Sequence, residues 1–433
     1  IWEGPISSAI LAKSKRTSCI YSISIIGSVK VRLMKYFVQF GAGNIGRSFI
    51  GQLFSRAGYE VIFIESALPL VRIINKKREY RIIIKRNDTP DEEIVIRNIQ
   101  ALHIDETQAV RNAILKADYV ATSVGASALS AVAPILADGI EFRFVQRPHK
   151  PIDIIIAENI RYGAEYLKNL LSARLPEGFP LDAYVGLVET SIGKMVPIMR
   201  KEDIANDPLM LFAEKYNELI VDRNGFKTEI PALSTITPVD NIKAYVDRKL
   251  FIHNLGHSAI AYIGYANFAN DPCLQYIWQA LEKPDIANKA HAAMTQAAVA
   301  LAKEYPNDFE ISSLNAYIED LFVRFSNKAL GDTIYRVGRD LYRKLAHDER
   351  IIGAMILAAQ HGLPFDAIAQ VFSAALRFRA TDEEGALFPR DAEFKAYLSS
   401  HDIDSMLREV CGLSLQDPVE SIVYDRLVQY VKK

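Results

Sequence analysis

Nine consecutive residues, Lys249-Leu-Phe-Ile-His-Asn-Leu-Gly-His257, bring together an amine, a carboxamide and an imidazole. That set matches what oxidation of an alcohol needs when no metal takes part. A base must remove the hydroxyl proton, and N–H donors must steady the developing alkoxide. Lys249 can serve as the base if burial or neighbouring cations, Arg248 being adjacent in sequence, bring its amine down from ~10.4. Asn254 can donate to the oxyanion, and His257 can fix the substrate or the lysine. On a helix turning ~100° per residue, Asn254 and His257 stand ~60° apart and all three fall within an arc of ~140°. One helix face could therefore present them to a cleft. The same spacing also suits a solvent-facing lysine, a capping asparagine and a half-buried histidine, so the chemistry needs a hydride acceptor from elsewhere in the chain.

Gly41-Ala-Gly-Asn-Ile-Gly46 supplies the candidate. It follows a short apolar run at 35–40 and opens a helical pattern at 45–57, with Phe49, Ile50, Leu53 and Phe54 at helical spacing. A second apolar run, 60–65, ends in an acid. This is a βαβ unit of about 30 residues. Gly41 permits the tight turn, Gly43 lets the backbone approach a pyrophosphate, and Gly46 lets helix and sheet pack closely. Asn44 and Ile45 complete the loop, whose phosphates would meet the helix N-terminus. Glu65 stands where an acid bonds ribose hydroxyls and repels a 2′-phosphate, and Ser66 follows it in place of an arginine. Both favour NAD over NADP. Ser123-Val-Gly125, after another apolar run, would line the nicotinamide side, although a plain turn explains that loop nearly as well.

These groups need a scaffold, and the pattern of the chain predicts one. Apolar runs at 119–122, 152–157 and 184–189, alternating with helical stretches, argue for an open, mostly parallel sheet. Residues 80–85 and 93–96 read as a hairpin around Asn87-Asp-Thr-Pro90. After about residue 230 strand signals nearly vanish, and 285–305, 312–325, 349–361, 368–379 and 417–431 read as amphipathic helices. The expected fold is an α/β N-terminal Rossmann-type dinucleotide-binding domain, 34–228, plus an all-α C-terminal domain, 229–433, carrying the substrate machinery. A chain of 433 residues suits two domains. Its net charge of −1 gives no global field for nucleic acid or membranes. Cys19, Cys273 and Cys411 are far apart, form no metal-ligand spacing and suit a reducing, cytoplasmic setting. No apolar run approaches the roughly 20 residues of a membrane helix.

Residues 1–33 stand apart. They are basic and serine-rich, with Glu3 as their only acid. They read either as a targeting segment or as upstream sequence ahead of a true start at Met34.

Met34-Lys-Tyr-Phe-Val-Gln-Phe-Gly-Ala-Gly-Asn-Ile-Gly-Arg-Ser-Phe-Ile-Gly51 resembles the opening of mannitol-1-phosphate 5-dehydrogenases, in the polyol-specific long-chain dehydrogenase family. Tyr245-Val-Asp-Arg-Lys-Leu-Phe-Ile-His-Asn-Leu-Gly-His257 is similar to that family's K-x4-N-x2-H signature and its flanks. Ala157-Glu-Asn159, Asn217-Glu-Leu-Ile-Val-Asp-Arg223 and Tyr335-Arg-Val-Gly-Arg-Asp-Leu-Tyr-Arg-Lys-Leu345 resemble further family blocks. The likeness spans most of 34–379, and its GAGNIGR form favours the phosphate-using branch.

The resemblance implies NAD-dependent, metal-independent interconversion of D-mannitol 1-phosphate and D-fructose 6-phosphate. In that reading Lys249 is the general acid/base, Asn159 and Asn254 form the oxyanion hole, and His257 orients the substrate. A related polyol or hexuronate enzyme, of the mannitol 2-dehydrogenase or tagaturonate or fructuronate reductase type, is the alternative. A non-catalytic NAD-binding protein is a further one. For the phosphate, Arg336, Arg339 and Arg343 at i, i+3, i+7, with Lys344, would form one basic helix face; a solvated charged face is the competing view. Gly193 stands where family members often have Asp, and 142–152 and the tail beyond 380 fit the family pattern poorly. The expected partner is a small sugar phosphate; nothing fixes monomer or dimer.

Overall fold

Alternating side chains in β1 (Lys35–Phe40) divide the first core in two. Phe37 joins Phe49, Phe54, Tyr59 and Phe63 on one face, while Val38 and Phe40 join Ile62, Ile64, Val120 and Leu129 on the other. Strands buried on both faces need helices on both sides, which is the doubly wound arrangement. Phe37 also stacks on Phe54, with ring centroids 3.7 Å apart, a contact worth about 0.5–1.5 kcal/mol beyond its buried area. The computed structural model describes residues 34–431 apart from 88, 198, 200, 206 and 269–273; the segment 1–33 lies outside the described residues.

The strands after β1 are β2 (Tyr59–Glu65), β3 (Tyr80–Ile84), β4 (Glu92–Ile96), β5 (Ile99–His103), β6 (Tyr119–Thr122), β7 (Ile152–Ile156), β8 (Val185–Ile192), β9 (Leu211–Ala213), β10 (Leu219–Asp222) and β11 (Ile236–Val239), and with β1 they make eleven among the described residues. Eight of these form one sheet in the order β11-β10-β8-β7-β6-β1-β2-β5. It is parallel through β6, β7 and β8, and antiparallel where β10 meets β8. The crossover that separates β1–β2 from β1–β6 leaves a crevice at their C-terminal ends. The glycine loop and the Ser123 loop both lie there. The expected hairpin is present, with Tyr80 opposite Ile96, and β9 adds in parallel to β3 to make a separate three-stranded sheet.

From Ile242 onward the described elements are helices, joined by one isolated bridge, Tyr276–Thr333. The long helices Pro284–Glu304, Ile311–Phe325, Ile352–Gln360, Asp366–Leu376 and Pro418–Val431 match the helical stretches read from the pattern. Helices at Pro389–Ser400 and Ile403–Glu409 were not anticipated. The sheet itself runs on to Val239, past residue 228, because β11 pairs with β10 through Leu219–Ile236 to Asp222–Val239. Among the described residues no helix is long and apolar enough to cross a membrane.

The helix after the glycine loop starts as a π turn, Gly46–Gly51, and continues as α over Gln52–Arg56. A Cβ on Gly46 would lie 2.1 Å from the Gly41 carbonyl oxygen, a backbone atom that cannot swing away. Gly46→Ala is therefore expected to pry the loop from its helix, lower the melting temperature and weaken NADH binding by about tenfold or more, since 1.4 kcal/mol is tenfold. Calorimetry and NADH fluorescence titration would read both; an unaltered NADH affinity would mean that this packing does not shape the loop.

Candidate active site

At the crevice, Gly41 has φ +88, a left-handed value that suits glycine, and a Cβ there would press on the Ser123 carbonyl oxygen at 2.6 Å. Gly43 faces open space, with nothing within 4 Å of the point its Cβ would occupy. Backbone can thus approach a bound pyrophosphate at the residue where that matters. Arg47 braces the loop from inside, its Nε donating to the Ala42 carbonyl at 2.6 Å and Nη1 to Leu209 at 2.9 Å. Asn44 accepts from Ser48 Oγ at 2.6 Å, and Ile45 leads directly into the helix.

Glu65 closes the other side. Its carboxylate accepts N–H bonds from Ala42, Ser66 and Ala67 at 2.8–2.9 Å. Burial pushes its pKa up, but these N–H groups outweigh that and hold it below the usual carboxylate value, so it is ionised. A fixed anion at the end of β2 suits ribose hydroxyls and opposes a 2′-phosphate. Across the crevice, Ser123 Oγ accepts from Gln39 at 3.0 Å, and Gly125 sits at φ +90. The Val124 and Gly125 N–H groups donate to the two oxygens of Glu158, each at 2.8 Å. Glu158, not singled out from the sequence, thereby ties this loop to its neighbour Asn159. The loop and the acid together form a cradle that fits a dinucleotide.

Lys249, Asn254 and Asn159 converge on one cavity of about 460 Å³, which Thr190, Ser191, Arg161 and Glu349 also line. The Lys249 amine donates to Asn159 Oδ1. The expected regular helix is replaced at this point: Lys249–Asn254 is a π turn between helices Ile242–Arg248 and Leu255–Phe268. Its i→i+5 bonding brings Asn254 back over Lys249. Burial lowers the Lys249 pKa to about 8, helped by the cation of Arg350 and then Arg343 against the opposing charge of Glu349. Arg248 is not the helper; it stacks on Tyr317 and Tyr245 at 4.4 and 4.8 Å. Arg350 was missed because it is remote in sequence.

His257 does not line this cavity. Its side chain stays 17% exposed, its ring is stacked on Phe325 at 4.7 Å, and its pKa is pushed down to about 3 by burial and then by Arg336, Lys344, Arg350 and Arg324. It is a neutral imidazole at working pH. Its neighbour one helical turn back, His253, is fully enclosed and close in charge terms to both His257 and Lys249.

The expected single basic face is not formed. Helix Ile334–Gly338 ends at Arg339, and Asp340 turns the chain at φ 71 before a second short helix, Leu341–Lys344. The left-handed residue breaks the i, i+3, i+7 register, so the four cations separate. Lys344 is buried and donates to the Val337 and Arg339 carbonyls, with its pKa lowered by burial and by Arg350 and Arg343. Arg343 pairs with Asp340 and Glu349 at 2.7 and 3.0 Å. Arg336 pairs with Asp332 and donates to the Val196 carbonyl at 3.2 Å. Arg339 makes no ion pair among the described residues; it lies over the Phe388 ring at 5.4 Å and faces, with Arg336 and Arg379, a second cavity of about 1240 Å³. Arg379 was not recognised from the sequence, where it reads only as a helix end. At Gly193 a side chain would have room, meeting Tyr216 at 3.4 Å or more, and its carbonyl accepts instead from buried Arg324.

Among the described residues no cluster of His, Cys, Asp or Glu is placed to hold a metal ion. A doubly wound sheet with a glycine loop at its switch point, joined to helices that carry a lysine with depressed pKa, defines a dinucleotide-dependent dehydrogenase architecture. Residues 35–235 match the mannitol dehydrogenase Rossmann domain and 241–422 the mannitol dehydrogenase C-terminal domain, so the chain belongs to the mannitol dehydrogenase family. It is 30% identical over 395 residues to mannitol-1-phosphate 5-dehydrogenase of Bacillus subtilis (strain 168), covering 90% of this chain and 99% of that protein. It is 32% identical over 388 residues to the enzyme of that name from Caldanaerobacter subterraneus subsp. tengcongensis, covering 89% and 96%. In fold it is similar to Pseudomonas fluorescens mannitol 2-dehydrogenase, solved with NAD and D-mannitol, at TM-score 0.70 and 15% identity over 92% of this chain and 91% of that one.

Lys249 is expected to titrate near pH 8. Lysine-selective NMR of the protein against Lys249→Met would assign the signal; a midpoint near the ordinary ~10.4 would show that the cavity does not prepare the amine.

Proposed function

We propose that this protein is an NAD-dependent mannitol-1-phosphate 5-dehydrogenase, interconverting D-mannitol 1-phosphate and D-fructose 6-phosphate. The carrying observation is the meeting of Lys249 and Asn159 beside Asn254, at the end of the sheet where the dinucleotide cradle lies. Relatives bearing that name along nearly the whole chain support the substrate. The division of labour follows the folding, with the cradle before residue 240 and the proton-transfer groups after it, apart from Asn159.

When bound in the cradle of Gly41, Gly43, Gly46 and Glu65, NAD would supply the acceptor for the carbinol hydride. Everything else falls to side chains. The neutral Lys249 amine takes the hydroxyl proton. Because Asn159 uses its Oδ1 to hold that amine, its Nδ2–H2 remains to donate to the growing oxyanion, with the Asn254 amide as the second donor. In ketone reduction the roles reverse, and the Lys249 ammonium returns the proton. His257, neutral, offers a hydrogen bond to a substrate hydroxyl. Arg339, which like Arg379 makes no ion pair among the described residues, receives the phosphate, supported by Arg336.

The decisive experiment follows NADH oxidation with fructose 6-phosphate beside fructose, tagaturonate and fructuronate. Turnover confined to fructose 6-phosphate is expected; preference for an unphosphorylated ketose or a uronate would reassign the substrate, and silence on all four with NADH still bound would favour a non-catalytic role. The sign of the pH effect is fixed by the lysine. Oxidation needs the amine, so its kcat/KM should rise as pH passes through about 8, whereas reduction needs the ammonium and should fall over the same range. Profiles with the opposite slopes would remove Lys249 as the proton carrier. Arg339→Ala should raise the KM for fructose 6-phosphate by about tenfold or more, the scale of a lost charge-assisted bond, and spare the KM for NADH. An unchanged sugar-phosphate KM would move the phosphate elsewhere.

A further inference from the structure

Asp332 stands just before the helix Ile334–Gly338, with 8% of its surface exposed. Its backbone is held on both sides: its carbonyl accepts from Ile277 N at 2.9 Å, and the next residue, Thr333, bridges Tyr276 and caps Arg336 N with its Oγ1 at 3.1 Å. A carboxylate this enclosed is costly unless its oxygens are engaged. Oδ1 is taken by the Arg336 guanidinium, and Oδ2 lies 3.5 Å from His257 Nε2. That nitrogen is shut from solvent and has no hydrogen-bond partner among the described residues, so the Asp332 carboxylate is the charge it faces. The His257 ring cannot turn freely because Phe325 lies flat against it, 7° from parallel.

We propose that Asp332 is a positioning residue, whose two carboxylate oxygens set the Arg336 guanidinium and the His257 ring as one unit facing the substrate. The proposal rests on the reading of Arg336 and His257 given above. With a carboxylate opposite Nε2, the proton sits on Nε2, and Nδ1 is left as the acceptor that a substrate hydroxyl can approach. Arg336 is held against Asp332 and the Val196 carbonyl, which fixes the guanidinium at the wall of the cavity it lines. Neither group could find this geometry alone: a free arginine samples many rotamers, and a neutral imidazole has two tautomers.

Asp332→Asn keeps the size and removes the charge. It should raise the KM for fructose 6-phosphate by about tenfold, the scale of a charge-assisted bond, and lower kcat while leaving the KM for NADH unchanged. Asp332→Glu should recover part of the loss. In an Arg336→Ala background, Asp332→Asn should change the sugar-phosphate KM far less than it does alone. If Arg336→Ala itself leaves that KM untouched, the reading of Arg336 fails. If Arg336→Ala raises it but Asp332→Asn does not, or adds undiminished in the double variant, the positioning role fails. A measurement on the unaltered protein guards against a variant that folds poorly: histidine nitrogen NMR should show His257 protonated on Nε2, and a proton on Nδ1 would overturn the proposal.

Discussion

A buried ion pair across the join of the two folded parts governs where the chemistry can happen. Arg324, on helix Ile311–Phe325, grips Glu214 through two bonds, Nε to Oε2 at 2.8 Å and Nη2 to Oε1 at 2.7 Å, with side chains only 9% and 3% exposed. Glu214 also accepts from Met195 N, and Arg324 donates to the Gly193 carbonyl. One guanidinium thereby fastens the helices both to the segment after β9 and to the loop that leaves β8. The next residue, Phe325, is the ring on which His257 lies. Removing either partner would strand a buried charge, which typically costs about 3–5 kcal/mol. The pair thus anchors the helix end whose Phe325 ring lies against His257.

Around it the interior is rich in cations, and the fold handles them unequally. Lys194 donates to the Glu214 and Tyr216 carbonyls and to Asn217, and burial lowers its pKa to about 8. Lys344 is likewise held by carbonyls. Arg336 and Arg350 receive carboxylates, from Asp332 and Glu349. The Lys249 amine donates to the Asn159 amide oxygen, with Glu349 on the same cavity opposing the effect of Arg350. Burial, with Arg350 close by, lowers the Lys249 pKa to about 8, as burial does at Lys194. A carboxylate in place of Asn159 would instead hold the amine charged.

How far the sequence carries the reader depends on the range of each interaction. The strands at 35–40, 59–65, 119–122 and 152–156 and the long C-terminal helices announce themselves through local periodicity, and so does the glycine loop. Lys249 and Asn254 are close in sequence, and Asn159 became visible only through resemblance. Glu158, Asp332, Arg350 and Arg379 are polar residues whose meaning lies in partners far along the chain, and a period of apolar residues says nothing about them. The strands β9, β10 and β11 are short and owe their pairing to the sheet they join. The basic cluster shows a different failure: arginines at helical spacing suggested one face, but Asp340 in a left-handed conformation splits the helix, and that preference is only weakly written in an Asp.

The π turn at Lys249–Asn254 shows why spacing alone could not deliver the site. On a regular helix five residues turn the chain by ~500°, so Asn254 would point ~140° away from Lys249. One extra residue in the turn, bonded i→i+5, cancels most of that divergence and puts the amide on the side of the amine. Such a turn is less favourable than an α-helix and persists only where packing demands it. Here Leu250, Phe251 and Ile252 are buried within it, and Arg350 reaches the Asn254 carbonyl at 3.5 Å and Ser258 Oγ at 3.3 Å from the far side. The same guanidinium that lowers the lysine pKa thus also fastens the end of the turn that aims the asparagine. Arg350 therefore acts on both the geometry around Asn254 and the charge balance at Lys249, where burial is the larger cause of the lowered pKa.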